Sequence, residues 1–216
     1  MALTYARFEK KYLESCMDII RSTWKFDKDF KNPKKPEYVY KYYVLDCVNW
    51  SEHLDLLVDE DGRAQGILFG SIERPAFPKK VKFILTQWRL RAEMWWHILN
   101  GDFGDRKQAI AVYRDMRQID ADGESKAEHF DSEVNLFILS PTLRGQGYGR
   151  QLMDRYMDFC RKNHLKKAFL WTTTGCTWQF YERYGFKVYQ RFTHQGLSAK
   201  EAPKAPNAMI YCKEVC

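Results

Sequence analysis

Apolar residues recur at helical spacing from residue 13 to residue 24 (Leu13, Cys16, Met17, Ile20, Trp24), which predicts an amphipathic helix. A Lys-rich stretch with Pro33 and Pro36 reads as a loop over 25–37, and a second helix is predicted over 38–50. Residues 54–58 and 64–72 are strand-like and flank Asp61-Gly62, a hairpin signal. From 81 to 99 the chain is free of Gly and Pro and rich in Trp and Arg. Gly101 and Gly104 break it before a further helical stretch over 105–118. Trp88, Trp95 and Trp96 fall at i, i+7 and i+8, on one helical face. Residues 130–139 (FDSEVNLFIL) form a buried-strand run, and 150–163 a helix with one apolar stripe through Leu152, Met153, Tyr156, Met157, Phe159 and Cys160. Residues 167–173 predict a strand, and 177–184 a short helix that Gly185 caps. Strands over 186–192 and 209–215 follow, joined by a loop over about 194–207 that holds Pro203 and Pro206. The pattern is that of an α/β protein.

Composition narrows the class. The 216 residues are 45% hydrophobic and 29% charged, which fits one globular domain over 1–216 and is too apolar for a disordered chain. No apolar run approaches a membrane span, and the first residues lack the apolar stretch of a signal peptide. Collagen, coiled coil, membrane span and secreted mini-protein are excluded. None of the six cysteines forms a Cys-x-x-Cys pair and no histidine stands at ligand spacing beside them, so no metal is expected and the predicted location is cytoplasmic. The net charge of +7 is unevenly spread. Residues 74–91 hold six basic side chains and no acid, and 144–167 hold seven basic against two acidic. Over 118–133 the sign inverts: Asp120, Asp122, Glu124, Glu128, Asp131 and Glu133 face only Lys126.

The basic tract at 144–167 coincides with Arg144-Gly145-Gln146-Gly147-Tyr148-Gly149, between a predicted strand and a predicted helix. A helix start leaves backbone N–H groups without partners at the positive end of the helix dipole, and glycines let an anion approach them. The strand–turn–helix arrangement is therefore a phosphate site in outline, although the same glycines also suit an ordinary tight turn. A dinucleotide fingerprint would need Gly-x-Gly-x-x-Gly, and a Walker loop Gly-Lys-Ser/Thr; neither is present.

Arg144-x-x-Gly147-x-Gly149 resembles the acetyl-CoA motif of the GNAT N-acetyltransferases, Arg/Gln-x-x-Gly-x-Gly/Ala. About 30 residues on, Phe180-Tyr181-Glu182-Arg183-Tyr184-Gly185-Phe186 is similar to that family's Phe-Tyr-Glu-Lys-x-Gly-Phe segment. The likeness is close over 130–192, weaker over 1–73, and does not cover 74–126. It implies a GNAT fold, a mixed central β-sheet splayed between strands 4 and 5 and flanked by helices. Residues 74–126 then form a helical insertion between strands 3 and 4. It further implies acetyl-CoA as cosubstrate, with pantetheine along Phe137, Ile138 and Leu139. Arg144 and Gly145 begin the pyrophosphate turn, and the amides of Gln146, Gly147, Tyr148, Gly149 and Arg150 hold the diphosphate. Thr174 stands where members often carry an Asn that contacts CoA. Tyr181 is implied as the acid that protonates the CoA sulfur, with Tyr184, one turn on, as its fallback. Glu133, eleven residues before Arg144, resembles the base glutamate of the histone-acetylating branch. Asp131 shares its side of a regular strand, so the two would form a carboxylate pair.

The expected reaction is acetyl transfer to a primary amine of a small molecule or peptide by direct attack. The acidic stretch at 118–133 either flanks the acceptor entrance or is a solvated loop. The tryptophan face either packs on the domain or a twin subunit in a homodimer, or walls the acceptor pocket. Nucleic acid is not an expected partner, although acetylation of an aminoacyl-tRNA by way of the 74–91 basic tract is a competing enzyme reading. A catalytically silent acyl-CoA sensor is a competing non-enzyme reading.

Overall fold

A computed structural model describes residues 2–74, 77–127, 129–194, 196 and 205–215. Pro203 and Glu128 lie outside these residues. The chain begins with a strand, β1 (Thr4–Arg7), which the residue pattern does not signal: its four residues are too short to show an alternation. Helices α1 (Leu13–Thr23) and α2 (Glu37–Trp50) follow, then the hairpin β2 (His53–Val58) and β3 (Ala64–Gly70). β3 stops two residues short of the expected Ile72. The insertion is two helices, α3 (Phe77–Leu99) and α4 (Arg106–Glu124), and α4 runs six residues beyond the expected end. β4 (Ser132–Leu139), α5 (Tyr148–Lys162), β5 (Lys167–Thr173), α6 (Gln179–Tyr184), β6 (Lys187–Phe192) and β7 (Ala208–Glu214) complete the chain.

The seven strands form one sheet in the order β1-β2-β3-β4-β5-β7-β6. Its neighbours are antiparallel except for β4 and β5, which are parallel. Side chains alternate across the hairpin: Leu56, Ile67 and Phe69 face α1 and α2, while Leu57 and Leu68 face α5. The helical stripe of α5 buries Leu152, Met153, Tyr156, Met157 and Cys160 against the second face. Tyr156 lies directly under Gly70, where an added Cβ would be 2.3 Å from its ring, and its hydroxyl is 2.6 Å from Ser132 Oγ.

Two irregularities shape the centre of the sheet. β4 and β5 pair only at Ser132 with Ala168 and Glu133 with Phe169; past that point they diverge, leaving a gap that widens toward Leu139 and Thr173. Opposite β3, Phe69 pairs with Leu136 but Gly70 with Val134, so Asn135 is an extra residue, a β-bulge. The bulge reverses the alternation. Leu136 and Ile138 face the α1–α2 side and Phe137 and Leu139 the α5 side, yet Val134 also packs on the α5 side. Glu133 is thereby turned toward α2 and α4.

Candidate active site

β4 ends at Leu139, turns through Pro141–Leu143 and delivers the glycine-rich segment to the start of α5. Gly145 and Gly147 hold φ of +78° and +87°, values that L side chains resist. Gly147 is the N-cap of α5 and supplies no side-chain cap. Among the described residues, the amides of Gly145 to Arg150 donate to no protein acceptor; the first bonded amide of the turn is Gln151, to the Gly147 carbonyl at 3.1 Å. Open space lies around Gly145, and near Gly147 only the Gln151 side chain comes within 4 Å. Six free donors at a positive helix end suit a diphosphate. Arg144 and Arg150 are exposed beside them, and Gln146 Nε2 braces the turn on the Thr142 carbonyl at 2.7 Å.

The gap between β4 and β5 opens beside this cradle. Phe137 lines it on the β4 side, packed 5.1 Å from Phe180 and 6.2 Å from Tyr181 of α6. Ile138 is buried toward α1 and α2, and Leu139 half-buried toward α5. Tyr181 is fixed by Tyr211 at 5.9 Å and Phe186 at 6.1 Å, and among the described residues its hydroxyl has no partner. Burial, and to a lesser degree Cys176, holds its phenol well above the ordinary value, so it keeps its proton at neutral pH. Tyr184 points elsewhere and donates to Asp154 at 2.6 Å on the face of α5. Thr174 is exposed just beyond β5, its amide bonded to the Asn207 carbonyl at 2.9 Å.

Glu133 and Asp131 do not form the expected pair. Asp131 accepts the amides of Lys166 and Lys167 at 2.9 and 3.0 Å and so caps the turn into β5. Glu133, 7% exposed, makes no side-chain hydrogen bond among the described residues. Burial raises its carboxyl well above the usual range, and Glu73, Glu124 and Asp120 add to the effect. Within 118–124 the helical period sorts the acids. Asp120 and Glu124 share a face toward Glu133, whereas Asp122 accepts from His194 Nδ1 at 2.9 Å on the far side.

The structure brings together further residues that the pattern reading did not single out: Tyr43, Asp46 and Cys47 of α2, and Arg117 of α4. Arg117 bridges Asp46 at 4.0 Å and Asp120 at 3.8 Å, and Gln87 of α3 donates to Asp46 at 2.6 Å. Gly123 lets α4 lie on Trp171 of β5; a Cβ there would meet the indole at 2.6 Å. The only advance signal was the acidic stretch itself, because α2 carries no motif. The tryptophans of α3 do not act as one face. Trp95 packs on Tyr113 at 5.7 Å, while Trp88 and Trp96 are two-thirds exposed. They sit at slightly different angles on the helix, and the boundary of the core falls between them. Among the described residues no cluster of His, Cys, Asp and Glu could hold a metal, and no helix is long and apolar enough to cross a membrane.

A parallel pair pried apart beside an amide cradle defines an α/β protein with an anion-binding turn at a split sheet, and comparison with known proteins gives its family. The Acetyltransferase (GNAT) family profile matches residues 17–186, and the chain belongs to that family. No curated protein sequence matches it. Solved structures with the same fold include SsHAT (TM-score 0.63, 16% identity, all of both chains covered). An agmatine N-acetyltransferase also aligns (0.58, 13%, 98% of this chain and 99% of that one), as does the NatC complex bound to Gag peptide and CoA (0.55, 13%, all of both chains).

Proposed function

We propose that the protein transfers an acetyl group from acetyl-CoA to a primary amine. The observation that carries this reading is the β4–β5 gap, with six unpaired amides at its mouth and Tyr181 unpaired along its wall. The donors of Gly145 to Arg150 hold the diphosphate, and the edge of β4 at Phe137 to Leu139 that β5 leaves bare binds the pantetheine amides. Acetyl-CoA supplies the activated acyl group as a thioester. Arg144 and Arg150 add positive charge near the phosphates, and Thr174 offers a hydroxyl at the far lip.

A lysine-like amine with a pKa of about 10.4 is neutral in only about one molecule in 2,500 at pH 7. In this reading Glu133 takes the ammonium proton, directly or through water. Its raised affinity for protons brings it closer to the working pH than an exposed carboxylate would be. Tyr181, loaded with its proton at neutral pH, donates to the departing sulfur.

Coenzyme A titrated calorimetrically at low ionic strength tests the cradle, and thiol release from acetyl-CoA with a panel of amines tests the chemistry. Wild type is expected to bind and turn over. Tyr181→Phe is expected to lower kcat by about 10² with CoA affinity retained. Glu133→Gln should lower kcat/KM most between the raised titration of the Glu133 carboxyl and that of the amine, and least in acid, where Glu133 already holds its proton. No heat with coenzyme A overturns the proposal; binding without turnover across the panel makes the chain a sensor instead.

A further inference from the structure

Glu133 belongs to a group of acids larger than one amine needs. Five carboxylates converge from four parts of the chain: Asp46 on α2, Glu73 after β3, Asp120 and Glu124 on α4, and Glu133 on β4. Two guanidiniums answer them. Arg117 sits between Asp46 and Asp120, and Arg91 of α3 acts on Asp46 and Glu124. Lys79 acts instead on Glu52 at the edge of the group. Among the described residues five acids face two bases, a surplus of three carboxyl groups. Among the described residues Glu133, 7% exposed, makes no side-chain hydrogen bond, and Arg91 Nε is buried without an acceptor.

Resting on the reading of the β4–β5 gap as the acetyl-transfer site, we propose that the acceptor is an aliphatic chain carrying at least two ammonium groups. One ammonium meets Glu133 and reacts; the other is held by Asp120 and Glu124, with Asp46 behind them. A single ammonium at Glu133 would leave Asp120 and Glu124 to be relieved by protons instead of a cation. The Asp46 and Asp120 side chains are only 17% and 33% exposed, between α2 and α4, with Tyr43 and Cys47 around them. In the free protein the crowding is relieved by protons, since Asp120 is pushed up to about 7, by burial first and then by Asp46. An entering dication displaces those protons.

The test uses 1,4-diaminobutane, spermidine and n-butylamine on the CoA-loaded protein. At pH 7 the diamine is expected to release protons on binding, seen as heats that differ between phosphate and Tris buffers. Its kcat/KM should exceed that of butylamine by about tenfold or more, a tenfold ratio being about 1.4 kcal/mol. Asp120→Asn with Glu124→Gln should cut that ratio by about tenfold. CoA affinity of the variant, read at the distant cradle, reports that it has folded. Equal kcat/KM for diamine and monoamine, or a ratio the double variant leaves intact, overturns the proposal while leaving the acetyltransferase reading standing. Failure of wild type to bind CoA removes that reading, and the diamine titration then judges the cation site alone. If the variant does not fold, the wild-type ratio and proton release decide.

Discussion

Strand carboxylates ordinarily face water, and Glu133 faces inward because Asn135 is inserted into β4 ahead of it. Strict alternation would have set Glu133 with Phe137 and Leu139 on the α5 side; one extra residue moves it to α2 and α4. Tyr181 and Tyr184, one helical turn apart, are separated in the same way by what each reaches. One ends in the gap without a partner, the other on Asp154. His53 is a residue whose burial has a consequence for stability. Its ring lies between Tyr156 at 5.5 Å and Phe159 at 5.1 Å, and burial lowers its pKa to about 4, Asp55 opposing and Arg155 and Arg7 assisting. The unfolded chain takes up this proton near 6.5 and the folded chain only near 4. Stability from this group is therefore complete above about pH 6.5 and is lost as pH falls toward 4. Melting temperatures across pH 4.5–7.5 should fall less steeply with acid for His53→Gln than for wild type; parallel profiles would contradict this.

At the scale of elements, the glycine turn, α4 and the α6 segment were legible to different degrees. The turn could be read because its chemistry is local: left-handed glycines and a helix start lie within six residues. Gly147→Ala should cost about 1–2 kcal/mol in urea denaturation, since an L side chain resists φ of +87°, and should weaken coenzyme A binding. An unchanged midpoint would show that the turn relaxes. The residue pattern predicts helix α4 but ends it at 118, because three of its last six residues are acidic and another is Gly123, a poor helix former. What retains that glycine is Trp171, far away in sequence. β1 went unread for a related reason: its pairing with β2, from Thr4 with Val58 to Arg7 with Asp55, is what makes it a strand.

For the whole molecule, the bare edge of β4 makes a direct prediction. In hydrogen exchange the amides within Leu136–Leu139 that turn from β3 should exchange quickly in the free protein and become protected when coenzyme A is added, while those bonded to β3 change little. Protection confined to α5 would place the cofactor elsewhere. By itself the sequence determined the α/β order, the amide cradle and the two segments that resemble the family. Each depends on residues near one another in the chain, whose periodicity and backbone preferences act locally. Only the tertiary structure decided which way Glu133 points, that Asp131 caps a turn instead of pairing with it, and that Asp46, Arg117 and Asp120 meet. Those outcomes follow from a one-residue slip between strands and from the packing of α2 against the inserted helices, and long-range packing leaves no period in the sequence to read.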